Sequence, residues 1–230
     1  LPFTIDDPGA VHLLCHHPSV WSAIYRRAFL EEHHIRLMEI PGAGWADNPF
    51  LIETLCQAKT IVYLDNEYYC YRENTPEQDS AFTLKNPMLP FERWNDMMDI
   101  LERLGITDEG ILRAHYSRGF TYLQGVIEEI DLTHENVHDA AVHMFSRMDA
   151  DLVMSYTEIS PGAKRMFLEL RGLPPRRVAH LPYLGGLIGQ GLYNLGNVGP
   201  VNTLRFTSNF FEKRKAREAK GFVEEDEKEA

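Results

Sequence analysis

The later two thirds of the chain is a succession of helix-period segments closed by breakers, and this limits the fold more than any other feature. Residues 87–105, 108–130, 134–148 and 161–172 each repeat apolar side chains at three- and four-residue spacing. Gly105, Asp131 and Gly172 supply three of the stops, with glycine or proline at the joins. No internal repeat relates the segments and no Gly/Ser linker separates them. Residues 86–204 are therefore expected to form a helical accessory region.

The front part reads differently. Over 17–34, Pro18 and Ser19 open a helix whose apolar stripe is Val20, Trp21, Ile24, Phe29 and Leu30. Pro41, Gly42 and Gly44 break the chain into a loop. A second helix is expected from Pro49 to about Ala58, burying Phe50, Leu51, Thr54 and Leu55. Thr60–Leu64 and Tyr68–Arg72 flank the turn Asp65-Asn66-Glu67 and predict a β-hairpin. Residues 1–85 thus read as a mixed α/β segment of a mostly helical chain. One hairpin and two helices bury little surface, so they need a neighbour.

Charge and cysteine content exclude several functions. A chain of 230 residues with 44% hydrophobic and 25% charged residues is not a disordered polymer. Its net charge of -11 argues against coating nucleic acid. Cys15, Cys56 and Cys70 form neither a disulfide framework nor a metal knuckle, which points to a reducing, cytoplasmic setting. The first residue is Leu1, with no Met and no signal-peptide pattern, so a processed or truncated start is expected.

The charges near the end are segregated. Residues 181–204 hold no Asp, Glu, Lys or Arg, but their glycines, Gln190 and asparagines are too polar for a span. The segment reads either as a glycine-rich loop and short helix over the core or as a stretch lying in a bilayer interface. Residues 205–230 read as a charged helix and tail. Arg205, Lys213, Arg214, Lys215, Arg217 and Lys220 against Glu212 and Glu218 leave +4 beside Phe206, Phe210 and Phe211. This stretch suits anionic lipid, or a solvated helix ahead of an acidic tail. A peripheral position at the inner face of a membrane is compatible with 181–220.

Three ordered blocks carry a resemblance. The first is Pro18-Ser19-Val20-Trp21-Ser22-Ala23-Ile24-Tyr25-Arg26-Arg27-Ala28-Phe29-Leu30. The second is Pro41-Gly42-Ala43-Gly44-Trp45-Ala46-Asp47-Asn48-Pro49-Phe50. The third is Ala58-Lys59-Thr60-Ile61-Val62-Tyr63-Leu64, followed by Tyr68-Tyr69-Cys70-Tyr71-Arg72. Together, over roughly residues 15–80, they resemble the acceptor-side, C-terminal half of the catalytic domain of family-2 (GT-A fold) glycosyltransferases. The resemblance implies an α/β nucleotide-diphospho-sugar transferase domain followed by a helical bundle. It implies inverting transfer from a nucleotide sugar to a saccharide or lipid-linked acceptor, in surface polysaccharide or glycolipid synthesis.

In that family an acidic pair precedes the helix. Here Ala46 replaces the glutamate and Asp47 is retained, so the resemblance implies Asp47 as the catalytic base. An acceptor hydroxyl attacks an anomeric carbon only when a positioned carboxylate takes its proton. Position alone equally allows Asp47 or Asn48 to be a helix cap. Trp45 suits stacking on a sugar ring, or anchoring of the loop. Arg26 and Arg72, with Asn48, are acceptor-side candidates; each arginine also suits a surface ion pair.

The metal-binding, donor-side half of such a domain is not matched. Asp6-Asp7 precedes Pro8-Gly9 and reads as a turn or cap, so ligands for the expected Mg²⁺ or Mn²⁺ lie outside this chain. A second motif competes: His134-Glu135-Asn136-Val137-His138 matches the HExxH pattern of zinc hydrolases. A third reading is a non-catalytic helical module that binds a partner or forms a homo-oligomer. On the first reading, calorimetry of this polypeptide alone with a UDP- or GDP-sugar and Mg²⁺ gives no binding heat. Tight, metal-dependent binding overturns that expectation.

Overall fold

The computed structural model describes residues 2–7, 9–15, 20–40, 45–64, 66, 68–70 and 86–220. About 66% of these residues are helical, and they include no strand or sheet. The α-helices among them are α1 (His12–Cys15), α2 (Arg27–Glu32), α3 (Asp47–Gln57), α4 (Leu89–Arg103), α5 (Glu109–Glu129), α6 (Glu135–Ser146), α7 (Ala150–Ser155), α8 (Pro161–Leu170) and α9 (Leu181–Ala219). A 3₁₀ turn covers Val20–Ser22. The chain divides into two compact units, Leu1–Arg118 and Gly119–Ala230, and the division falls within α5.

The expected α/β fold with its β-hairpin is corrected. Ile61 pairs with Phe3 in an isolated antiparallel bridge, with N–H···O distances of 2.9 and 2.7 Å in the two directions. Val62, Tyr63, Leu64, Tyr68 and Tyr69 are all exposed, so neither parity of this segment finds a core face. A strand pair without such a face gains too little to persist. Tyr71 and Arg72 lie outside the described residues.

The expected helix over 17–34 is also shorter. Arg26 is extended (φ -68°, ψ 119°), and among the described residues of this stretch the α-helix covers Arg27–Glu32, with the 3₁₀ turn at Val20–Ser22 before it. Ile24, in the middle of the apolar stripe, is fully exposed, while Val20, Trp21, Phe29 and Leu30 are half-buried. The helix closes in a Schellman motif: the His34 N–H donates to the Glu31 carbonyl and the Ile35 N–H to that of Leu30, with His34 left-handed (φ 54°).

In the first unit α3 packs on α4 and touches α1. Trp94 of α4 is wholly buried, stacks on His115 at 4.5 Å and donates its indole N–H to the His115 carbonyl at 2.9 Å. That bond satisfies the one polar atom of a side chain that otherwise gains by leaving water. Glu53 of α3 pairs with Arg103 of α4.

In the second unit α6 and α7 pack on α8. Phe120, Phe145 and Phe167 form a buried triangle with centroid distances of 4.9, 5.2 and 6.2 Å. Asp149 caps α7 through the Leu152 N–H at 2.7 Å, and Ser160 caps α8 through that of Ala163 at 3.2 Å. Lys164 reaches back to the exit of α7, donating to the Met154 carbonyl at 2.9 Å and to that of Tyr156. Burial lowers its pKa.

α9 is helical on both sides of a break. Gly199 (φ 79°, ψ 167°) leaves helical geometry and Pro200 has no N–H to continue the ladder. The part after the break is tied to α5 by Glu128, whose carboxylate meets Lys213 at 3.2 Å and Arg217 at 3.1 Å. The Lys220 amine donates to the Glu128 carbonyl at 2.6 Å.

Gly105 and Gly172 close α4 and α8 with Schellman bonds at left-handed φ of 65° and 60°. A Cβ at Gly105 would meet nothing within 4 Å, so its cost is purely conformational. Gly105→Ala is expected to destabilise by about 1–2 kcal/mol. Gly125→Ala, in the exposed interior of α5, is expected to stabilise by about 0.5–1 kcal/mol. Urea unfolding midpoints check the opposite signs; shifts of the same sign would contradict these backbone assignments.

Candidate functional site

The candidate site is the entry of α3. Trp45 carries a left-handed backbone (φ 57°), which is sterically costly for a side chain with a Cβ. Its carbonyl accepts the Asn48 N–H at 3.1 Å and lies 3.4 Å from the Asn48 amide nitrogen. These contacts close a tight turn from Trp45 into the helix. Ala46, not Asp47 or Asn48, is the N-cap residue, and it has no side chain to cap with. Asp47 therefore occupies the first helical position, half-buried, where the N–H groups and the helix dipole favour a carboxylate. Pro49 sits in the same first turn, where its missing N–H costs nothing.

Asn48 is buried, and its carbonyl oxygen accepts from the Arg118 guanidinium at 3.3 Å. Arg118 also donates to the Leu14 carbonyl at the end of α1. One guanidinium thus joins α1, the α3 entry and α5. Asn48 serves this join, so its side chain acts on the local backbone and Arg118 rather than facing outward. Sequence reading missed Arg118, because its partners lie 70 and 104 residues away and no spacing rule reaches that far.

Among the described residues, ring contacts join the first motif block to the second and to the third. Tyr25 packs edge-on to Phe50 with centroids 5.1 Å apart, and Trp21 lies 6.1 Å from Tyr69. Burial raises the Tyr25 hydroxyl pKa, opposed by a hydrogen bond with Thr54. Arg26, the next residue, is the exposed N-cap of α2. Arg72 lies outside the described residues. The structure therefore brings Trp45, Asp47 and Asn48 together at one turn and holds the neighbour of Arg26 on the same helix.

The described residues do not fit a divalent cation. No group of three or more His, Cys, Asp or Glu side chains among them could hold one. Asp6 and Asp7 serve a turn: the Thr4 hydroxyl donates to Asp6 at 2.6 Å and the Thr4 N–H to Asp7 at 2.7 Å. That hydroxyl bond holds the Asp6 carboxyl below its ordinary range. In the HExxH stretch His134 is extended (φ -68°, ψ 123°) and precedes α6 as its N-cap. His138 lies 3.3 Å from the Asp139 carboxylate.

No protein-family model, curated protein or solved structure matches this chain.

Cys56 reports on how tightly α3 is seated. Burial, with the Glu53 charge second, pushes its thiol up to about 12. Cys15 and Cys70 are exposed. At pH 7.5 iodoacetamide is expected to alkylate Cys15 and Cys70 well before Cys56, because only the thiolate reacts. Peptide mass spectrometry reads the order; equal rates at all three would contradict the packing of α3.

Proposed function

We propose that the α3 entry is the acceptor side of an inverting glycosyl-transfer site, with Asp47 as general base. The observation that carries this reading is the Trp45–Asp47 turn. A tryptophan is held in a left-handed conformation immediately before a half-buried carboxylate at a helix N-terminus. Strain of this kind persists only where surrounding contacts over-determine it, and it concentrates at functional sites. The Asn48–Arg118–Leu14 join supplies that over-determination. Contact among the three resembling blocks, through Trp21 with Tyr69 and Tyr25 with Phe50, supports the same reading.

The chemistry follows from the residues. The acceptor hydroxyl gives its proton to the Asp47 carboxylate as its oxygen bonds to the anomeric carbon of a nucleotide sugar. The bond from that carbon to the diphosphate oxygen breaks and the configuration inverts. Trp45 offers an aromatic face beside the acceptor ring, and Arg26 an exposed cation for an anionic acceptor. The acceptor is a saccharide or lipid-linked saccharide, and the product belongs to surface polysaccharide or glycolipid synthesis. No step here is assigned to a metal, since the described residues do not fit one.

In a protein that unites this chain with a donor-binding half, Asp47→Asn is expected to lower transfer by about 10²–10⁴-fold. Donor binding by calorimetry and the melting temperature stay near wild type. Near-normal turnover in that variant would reject Asp47 as base.

A further inference from the structure

The first part of α9, before Gly199, leaves an apolar helix face in solvent. At 100° per residue Leu181, Leu184, Leu187, Ile188, Leu192 and Leu195 fall within an arc of about 140°. Ile188 and Leu192 are each 65% exposed, and Leu181 is 81% exposed. The opposite side is glycine, amide and tyrosine, including Gly186, Gly189, Gln190 and Gly196. Cβ atoms added at those three glycines would meet nothing within 4 Å. The helix is thus amphipathic, with its apolar arc exposed.

Charge identifies what covers it. From Leu170 to Phe211 the sequence has no Asp or Glu, while Arg171, Arg176, Arg177 and Arg205 fall within it and Lys213-Arg214-Lys215 follows. In a chain of net charge -11, this is the longest stretch without an acid. No helix among the described residues is long and apolar enough to cross a membrane. An apolar arc, a polar face without charge and cations at both ends are the requirements for a helix lying in the plane of an anionic bilayer surface. Pairing with a second copy would set these cations against their own counterparts.

We propose that residues 181–198 form an interfacial helix, flanked by Arg177 and Arg205, that docks the protein on an anionic lipid surface. The Leu and Ile arc inserts below the headgroups, and Arg177 and Arg205 meet the headgroup phosphates at its two ends. The break at Gly199–Pro200 separates the docked part from the part tethered to Glu128, so insertion need not disturb that anchor. The proposal stands apart from the glycosyl-transfer reading, since it uses no residue of the α3 entry.

Sedimentation of the full 230-residue chain with vesicles tests it. Binding to phosphatidylcholine vesicles containing about a third phosphatidylglycerol is expected to exceed binding to phosphatidylcholine alone by about tenfold, and to weaken with salt. Ile188→Asp with Leu192→Asp is expected to abolish binding with an unchanged circular dichroism spectrum in buffer, both positions being exposed. Arg177→Gln with Arg205→Gln is expected to keep residual binding but remove the preference for anionic vesicles. Wild-type binding by the Ile188→Asp, Leu192→Asp variant would overturn the proposal, as would no binding to anionic vesicles. A lipid-free dimer that the same variant dissociates would also overturn it, by assigning the face to a second copy.

Discussion

The first unit rests on the burial of α3 against helices, with no sheet among the described residues. Phe50, Ile52 and Thr54 leave water against neighbouring helices, and α4 is the principal one. Each fully buried side chain of that size contributes about 1.5–3 kcal/mol. Burial at the N-terminal end of the helix also strips water from polar atoms, and Arg118 restores their partners through Asn48 and Leu14. Unpaired, such buried groups would each cost about 1–3 kcal/mol. The same join fixes the turn that carries Trp45 and Asp47. Packing of the helix and placement of the candidate base are therefore one problem with one solution.

The second unit separates two kinds of helix. α6 and α8 bring Phe145 and Phe167 to the triangle with Phe120, and α8 is closed by the Ser160 cap and the Schellman motif at Gly172. α9 gains almost nothing of this sort before Gly199. Its hold on the unit is electrostatic, through Glu128, and sits at the far end. An isolated helix of this length is marginal in water, because nucleation is costly and packing supplies most helical stability. A segment rich in glycine is weaker still. A surface that buries the Leu and Ile arc would supply the missing stabilisation.

The helical segments were legible because their signals are local. Periodicity placed α4, α5, α6 and α8 within a few residues, and Gly105 and Gly172 close two of them at the positions expected. α7, only six residues long, carries too short a pattern to be read. The strand pair was misread for the opposite reason. Alternation of apolar residues at 60–72 states a preference, but a strand exists only with a partner and a buried face, and Ile61 finds Phe3 instead. At the candidate site, Asp47 was singled out by the resemblance, and its place in the first turn of α3 follows from the apolar helix after it. Its setting was not legible: the cap passes to Ala46, and Asn48 turns inward to Arg118.

The amino-acid sequence by itself determined where helices start and stop, the stretch without acids from 170 to 211, and the order of the three motif blocks. These properties depend on residues within a turn or two of each other. Tertiary structure alone decided that Trp45 is left-handed, that Arg118 binds the α3 entry, and that the Leu and Ile arc from 181 to 195 is exposed. Each of those depends on which surfaces lose water together, and that is set by contacts between residues far apart in the chain.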